Sequence, residues 1–215
     1  MIRPPDLSFE KKLWRGGFNL IAGLDEAGRG ALAGPVTVGL VVLPNLAHLA
    51  RTLSGVRDSK QMTPRQRSRR AETIKSVAQA WSLGWADADE IDSIGIAAAT
   101  RLAAERALAA LTLAPDYLLT DFLLKPDTDI PLTSLVKGDQ KSLSIAAASV
   151  LAKTARDEFM RTLDEKFPAY GFARHKGYGT AFHREAITRL GHSSAHRKTF
   201  QIKNIGSPVS GGKKP

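Results

Sequence analysis

Cysteine is absent from the 215-residue chain. That absence excludes a disulfide framework, a thiolate zinc site, an iron–sulfur cluster and a cysteine nucleophile, so any catalysis must use other groups. Long apolar runs are missing as well. A membrane-spanning helix needs about 20 apolar residues, and the longest candidate, 36–43, has only the length of a strand. Glu10, Lys11, Lys12 and Arg15 interrupt the start of the chain, where a secretion signal requires an unbroken apolar stretch. A cytoplasmic protein with no membrane association is expected. Acid is in short supply: 21 Asp and Glu stand against 31 Lys and Arg, a net charge of +10. Such a balance favours a polyanionic partner, nucleic acid first and an acidic membrane surface second. With 43% hydrophobic and 24% charged residues, disorder and low-complexity architectures are disfavoured and one globular domain is the default.

What is present reads as alternating strands and helices. An apolar run over 20–24 ends at Asp25, a glycine-rich bend follows, and 36–43 is rich in β-branched residues, giving strand, bend, strand. Thr63 before Pro64 is an N-cap with proline at the first helical position, opening a helix over about 64–80. Residues 81–86 form another strand. The segment 89–113 holds helix formers throughout, with Ile91, Ile94, Leu102, Leu108 and Leu111 toward one side. Strands are expected at 116–122 and 132–136, and helices at 142–167 and 181–190, the last stopped by Gly191. The expected division is an N-terminal lead-in over 1–19, a main domain over 20–204 and a flexible basic tail over 205–215.

Acids sit where the strands stop. Asp25 and Glu26 enter the glycine-rich bend directly after core residues, where uncompensated charge is costly unless it is paired or bound to a cation. Hard ions such as Mg²⁺ and Mn²⁺ take carboxylate oxygens. Neighbouring strand residues face opposite ways, so the two can share a site only if the chain turns between them. Asp121 and Asp139 also end strand-like segments. Four such carboxylates could converge on two ions about 4 Å apart, an arrangement that cleaves phosphodiesters; a turn or cap role is the plain alternative for each acid alone. A dinucleotide-binding loop is a decoy here. The spacing Gly28-x-Gly30-x-x-x-Gly34 departs from G-x-G-x-x-G, and a strand rather than a helix follows it.

The bases cluster too. Arg51, Arg57, Lys60, Arg65, Arg67, Arg69 and Arg70 face one acid, Asp58, and Arg174, Lys176, Arg184, Arg189, Arg197, Lys198 and Lys203 form a second group. Both read as phosphate-contacting surfaces. His175, His183, His192 and His196 fall in the second group without the spacing of a helical zinc pair, so a solvated basic face is the plain reading. Tyr178 lies between Gly177 and Gly179, where a ring on a permissive backbone can stack on a sugar or base.

Taken in order, GLDEAGRGALAGPV, RDSKQMTPRQR, LLTDFLL, KGDQKSLSIAAASVLAKTARD and YGFARHKGYGT make the chain resemble the bacterial ribonuclease HII family, the type 2 ribonucleases H, from about residue 21 to 200. The resemblance implies a ribonuclease H-like α/β fold, a mixed sheet flanked by helices with a small helical C-terminal extension. It implies endonucleolytic cleavage of the RNA strand of RNA–DNA hybrids and incision 5′ of single ribonucleotides in duplex DNA, by a monomer using Mg²⁺ or Mn²⁺. Carried over, the family's metal-binding carboxylates fall on Asp25, Glu26, Asp121 and Asp139. Its ribose-reading element falls on Gly28, Arg29 and Gly30, consistent with the close approach a glycine backbone allows to a 2′-hydroxyl. Its junction-reading tyrosine falls on Tyr178, and Lys60 is expected on the substrate side. Many relatives carry glycine after the third acid where this chain has Phe122, which puts the local turn in question. The 24 residues before Asp25 are too few for the additional N-terminal domain of the HIII type, and the tail lacks the aromatic-aliphatic cluster of a sliding-clamp peptide.

Overall fold

The structure, a computed structural model, describes residues 4–122 and 124–201. Among these residues the strands β1 (Ile21–Ala27), β2 (Val36–Val42), β3 (Ala80–Ala86), β4 (Tyr117–Asp121) and β5 (Leu132–Leu135) form one mixed sheet in the order β3-β2-β1-β4-β5. β1 pairs antiparallel with β2 and parallel with β4, and β4 is parallel to β5. The helices are α1 (Ser8–Arg15), α2 (Leu49–Thr52), α3 (Pro64–Val77), α4 (Ala88–Ala109), α5 (Leu143–Lys166), α6 (Phe172–His175) and α7 (Ala181–Leu190). None of the described helices is long and apolar enough to cross a membrane. The tail expected at 205–215 and Lys203 lie outside the described residues.

All seven residues of β2 are buried, and the period of two divides them between two cores. Val36, Val38, Leu40 and Val42 pack with Ala99, Ala103, Ala104 and Ala107 of α4; Val41 faces Ala147, Val150 and Leu151 of α5, with Ile74 of α3 in the same cluster. The two helices thus cover opposite faces of the sheet. α3 opens as its sequence predicts: Gln66 N–H donates to Thr63 Oγ1 at 3.3 Å while Thr63 N–H donates to Gln66 Oε1 at 2.9 Å, a reciprocal cap. α4 differs from expectation. It is broken at Gly95 (φ 78°, ψ 155°), which resets the helical phase and leaves Ile94 47% exposed. Its core face is built of alanines, letting the helix lie close to the sheet.

β1 holds the same close contact with α5. At Gly23 an added Cβ would lie 2.2 Å from the carbonyl carbon of Ser144, so the backbones touch with no room for a side chain. Gly23→Ala is expected to destabilise the fold by about 1–3 kcal/mol through overpacking against backbone that cannot rotate away. Urea unfolding of the variant beside the parent checks this, and an unchanged midpoint would refute the contact.

Candidate active site

The carboxyl ends of β1 and β4 and the turn after β5 meet at one end of the sheet, where α/β folds commonly place their ligands. Asp25 lies in β1 with 6% of its surface exposed; Asp121 is the last residue of β4; Asp139, also 6% exposed, occupies the single turn Gly138–Gln140 before α5. Gly138 N–H donates to Asp121 Oδ1 at 2.8 Å, tying the β5 turn to the end of β4. The chain does not turn between Asp25 and Glu26: β1 runs on to Ala27. Both acids nevertheless join one electrostatic cluster, because β1–β4 pairing stops at Leu24 and Thr120 and the sheet is open beyond them.

Burial raises the pKa of Asp25 well above the ordinary carboxylate value, and Glu26, Asp139 and Asp121 raise it further, while the Ser149 hydroxyl favours the ionised form. Glu26 is raised by burial and by Asp121 against the opposing charges of Arg29 and Lys60. Asp139 is pushed up to about 6 by burial, Asp58 and Asp121, despite Lys60. Burial pulls the Lys60 ammonium down, but Asp25, Asp58, Asp139 and Glu26 outweigh it and its pKa is raised. Glu26 Oε2 and Arg29 Nη1 are buried with no hydrogen-bond partner among the described residues. No three His, Asp or Glu side chains among these residues close on a common point at ligand distance. The acids meet as a charge cluster with spare oxygen lone pairs rather than as a finished coordination shell, and that donor chemistry fits hard divalent ions.

Asp58 and Ser149 belong to the site although the sequence offered no signal beyond the Asp58-Ser59-Lys60 string. Asp58 caps its own turn through Lys60 N–H at 2.9 Å, receives Gln61 and Gln140 amides, and faces Asp139; Ser149 of α5 meets Ser59 Oγ at 3.0 Å beside Asp25. Phe122 is 53% exposed, and Leu124 N–H closes a turn on Asp121 O at 3.0 Å, so the aromatic residue leaves the Asp121 carboxylate in the cluster.

Two buried arginines stitch the glycine-rich loop to the C-terminal segment. Arg156 donates to Pro35 O at 2.8 Å, Ala33 O at 3.1 Å and Lys176 O at 2.9 Å; Arg197 donates to Gly34 O and Arg29 O, both at 2.9 Å. Gly28 (φ +87°) lies against Arg156, whose Nε would be 1.9 Å from an added Cβ. Leu32 N–H reaches Gly177 O at 2.8 Å, which joins the loop of Gly28, Arg29 and Gly30 to the segment that carries Tyr178; Gly28 is buried, Arg29 and Tyr178 are half-buried and Gly30 is exposed. The half-buried Tyr178 ring has Lys153 Nζ and Arg156 Cζ each 5.4 Å from its centre, within cation–π range. This corrects part of the expected phosphate surface. Arg197 is buried in backbone contacts, and Arg67 is buried against Asp157 (2.9 Å), Ser59 O and Met62 O; Arg51, Arg57, Lys60, Arg65, Arg69, Arg174, Arg189 and Lys198 remain exposed.

Three of the four histidines are a second correction, while His192 is exposed as expected. His175, His183 and His196 are buried and packed together, His175 stacked on His183 with centroids 4.2 Å apart and His196 tilted against His183 at 5.2 Å. Carbonyl acceptors fix their tautomers: His183 Nδ1–H donates to Tyr178 O (3.0 Å), leaving Nε2 to accept from His196 Nε2–H (3.1 Å), whose Nδ1 accepts from Ser193. A solvated face would leave them free to charge; here burial holds His183 and His196 down to about 4, each lowered further by its histidine neighbours.

A family model for ribonuclease HII matches residues 22–203. The chain belongs to the ribonuclease HII family. Cleavage of the RNA strand of RNA–DNA hybrids is the activity that membership carries. The chain is 55% identical to a ribonuclease HII of Thermus thermophilus over 191 residues, covering 89% of this chain and 90% of that protein. It is 50% identical to the Chloroflexus aurantiacus ribonuclease HII over 198 residues, 92% of this chain and 93% of that one. Among solved structures, ribonuclease H2 of Pyrococcus horikoshii OT3 superposes with a TM-score of 0.68 at 26% identity, covering 85% of this chain and 94% of its own. A mixed sheet flanked by helices is thus the ribonuclease H-like fold.

The buried histidines give this member of the ribonuclease HII family a stability that depends on pH. Their folded pKa values lie below the unfolded value, so between pH 6.5 and 4 the unfolded chain binds more protons. Stability present above pH 6.5 is lost as pH falls, by about 1.4 kcal/mol per unit for each proton held only by the unfolded chain. Asp25, Glu26 and Asp139, whose pKa values burial raises, slope stability the opposite way over the same range, so the histidine contribution is read as a difference. In thermal melts from about pH 7 to 4, His196→Asn is expected to lose less stability than the parent as pH falls, and an equal pH dependence in both proteins would refute it.

Proposed function

We propose that Asp25, Glu26, Asp121 and Asp139 hold two divalent ions, Mg²⁺ or Mn²⁺, and that the enzyme both cleaves RNA–DNA hybrids and incises 5′ of single ribonucleotides in duplex DNA. The observation that carries this reading is the mutual repulsion of buried acids at the strand ends, with Asp139 raised to about 6 and Glu26 Oε2 unpartnered among the described residues. When bound, such ions lower the pKa of an attacking water and stabilise the leaving oxygen. The chain's own groups do the rest. Lys60, charged and facing the acids, offsets their repulsion and stands where a scissile phosphate would approach; Arg29 has an unpartnered Nη1 for the same purpose. The backbone of Gly28, Arg29 and Gly30, held by Arg156 and Arg197, offers polar groups to a ribose 2′-hydroxyl, the atom that distinguishes RNA from DNA. Tyr178 packs on the sugar of the adjoining deoxynucleotide.

Asp25→Asn or Asp121→Asn should abolish cleavage while leaving the fold and hybrid binding largely intact, since each removes a coordinating charge and no part of the basic surface. Near-normal cleavage by both variants at low Mg²⁺ would defeat the metal assignment. Tyr178→Ala should impair incision at a single embedded ribonucleotide by about 1–3 kcal/mol, with Tyr178→Phe retaining most activity. Cleavage of single-ribonucleotide and continuous-hybrid substrates, measured alongside melting temperature, checks this; a destabilised alanine variant with unchanged substrate preference would refute junction reading.

A further inference from the structure

Glu10 of α1 is fully buried and stands apart from the acids at the strand ends. One carboxylate oxygen, Oε1, accepts from Ser142 Oγ (2.6 Å), Ser144 Oγ (2.7 Å) and Ser144 N–H (2.9 Å), across more than 130 residues of sequence. Part of this is a helix cap supplied from a distant segment, since Ser144 N–H is one of the first amides of α5 and has no intrahelical acceptor. Ser142 already caps α5 through Ile145 N–H, and Asp6 O already takes Leu143 N–H at 2.9 Å. One amide needs only one neutral acceptor, whereas Glu10 buries a carboxylate there and takes both serine hydroxyls as well, a costly arrangement that fixes the whole start of α5 to α1.

The segment it grips runs straight to the site. Ser142 N–H donates to Gly138 O at 2.9 Å, Gly138 N–H donates to Asp121, and Asp139 lies between them. On the other side the Ser144 backbone rests on Gly23, two residues before Asp25. We propose that Glu10 is a positioning residue: by anchoring Ser142 and Ser144 it sets Asp139 against Asp25 and Asp121. The inference rests on reading those acids as metal ligands. Groups that orient ligands without touching the ion have a characteristic effect, weaker metal binding with an intact substrate surface.

The test uses the full chain as wild type, Glu10→Ala, Glu10→Gln and Asp139→Asn. Mn²⁺ is titrated calorimetrically into each protein without nucleic acid, beside thermal melts and steady-state kinetics on an RNA–DNA hybrid. Glu10→Ala should weaken Mn²⁺ binding and lower kcat, each by about tenfold, with KM for hybrid unchanged. Glu10→Gln, which keeps a carbonyl acceptor for the same donors, should restore most of both. Wild-type Mn²⁺ affinity and kcat in a Glu10→Ala protein that merely melts lower would overturn the proposal and leave Glu10 a cap. If Glu10→Ala does not fold, the double variant Ser142→Ala with Ser144→Ala reports on the same anchor, and unchanged Mn²⁺ binding there would overturn it equally. Asp139→Asn separates the premises: normal Mn²⁺ binding by that variant would remove the metal-ligand reading itself, whatever Glu10 does.

Discussion

Like charges have to be held together out of water for this site to exist, and the rest of the structure answers to that constraint. An isolated acid at a strand end relaxes toward solvent, whereas Asp25 and Asp139 are almost wholly covered and have Glu26, Asp121 and Asp58 around them. What opposes the repulsion is rigid covalent and hydrogen-bonded geometry: Asp25 is fixed by the central strand, Asp121 by the end of β4 and the Gly138 amide, and Asp139 by a one-turn link between β5 and α5. Lys60 brings a cation whose charge is felt by several of these acids at once.

The same logic of rigidity governs the surface next to the acids. Arg156 and Arg197 direct their guanidinium donors to backbone carbonyls rather than to phosphates, and Arg156 carries no ion pair within 4 Å among the described residues. Burial and Arg156 push Arg197 down to about 9, which still leaves it charged at neutral pH. Buried arginine binding carbonyls is a device for fixing irregular chain, since its N–H donors can hold several loop segments whose acceptors would otherwise be unsatisfied. The histidine stack continues that device to Tyr178, whose carbonyl accepts from His183 and whose amide reaches His175 O at 3.0 Å.

Most elements were legible because their signals are local. The Thr63-Pro64 start, the alanine-rich α5 and the β-branched β2 each declare themselves within one window of sequence, and the four acids were collected from strand ends alone. The break at Gly95 was not legible, since glycine is tolerated within helical patterns and only packing decides whether the chain bends there. Nor was the burial of Arg67, Arg197 and three histidines. Charge counting treats each basic residue as solvated, and their carbonyl and ring partners are supplied by segments distant in sequence.

The sequence by itself determined the family, the element order and the identity of the candidate acids, because these depend on residue types at fixed short spacings. Tertiary structure alone decided that Asp25 and Glu26 act in one cluster without a turn between them, because the sheet pairing ends beside them. It also decided which bases are scaffold and which are surface, and that Glu10 reaches the start of α5. Those are properties of contacts between segments far apart in the chain, such as Glu10 with Ser142 and Arg197 with Arg29, and no local pattern encodes a contact whose partner is chosen by the fold.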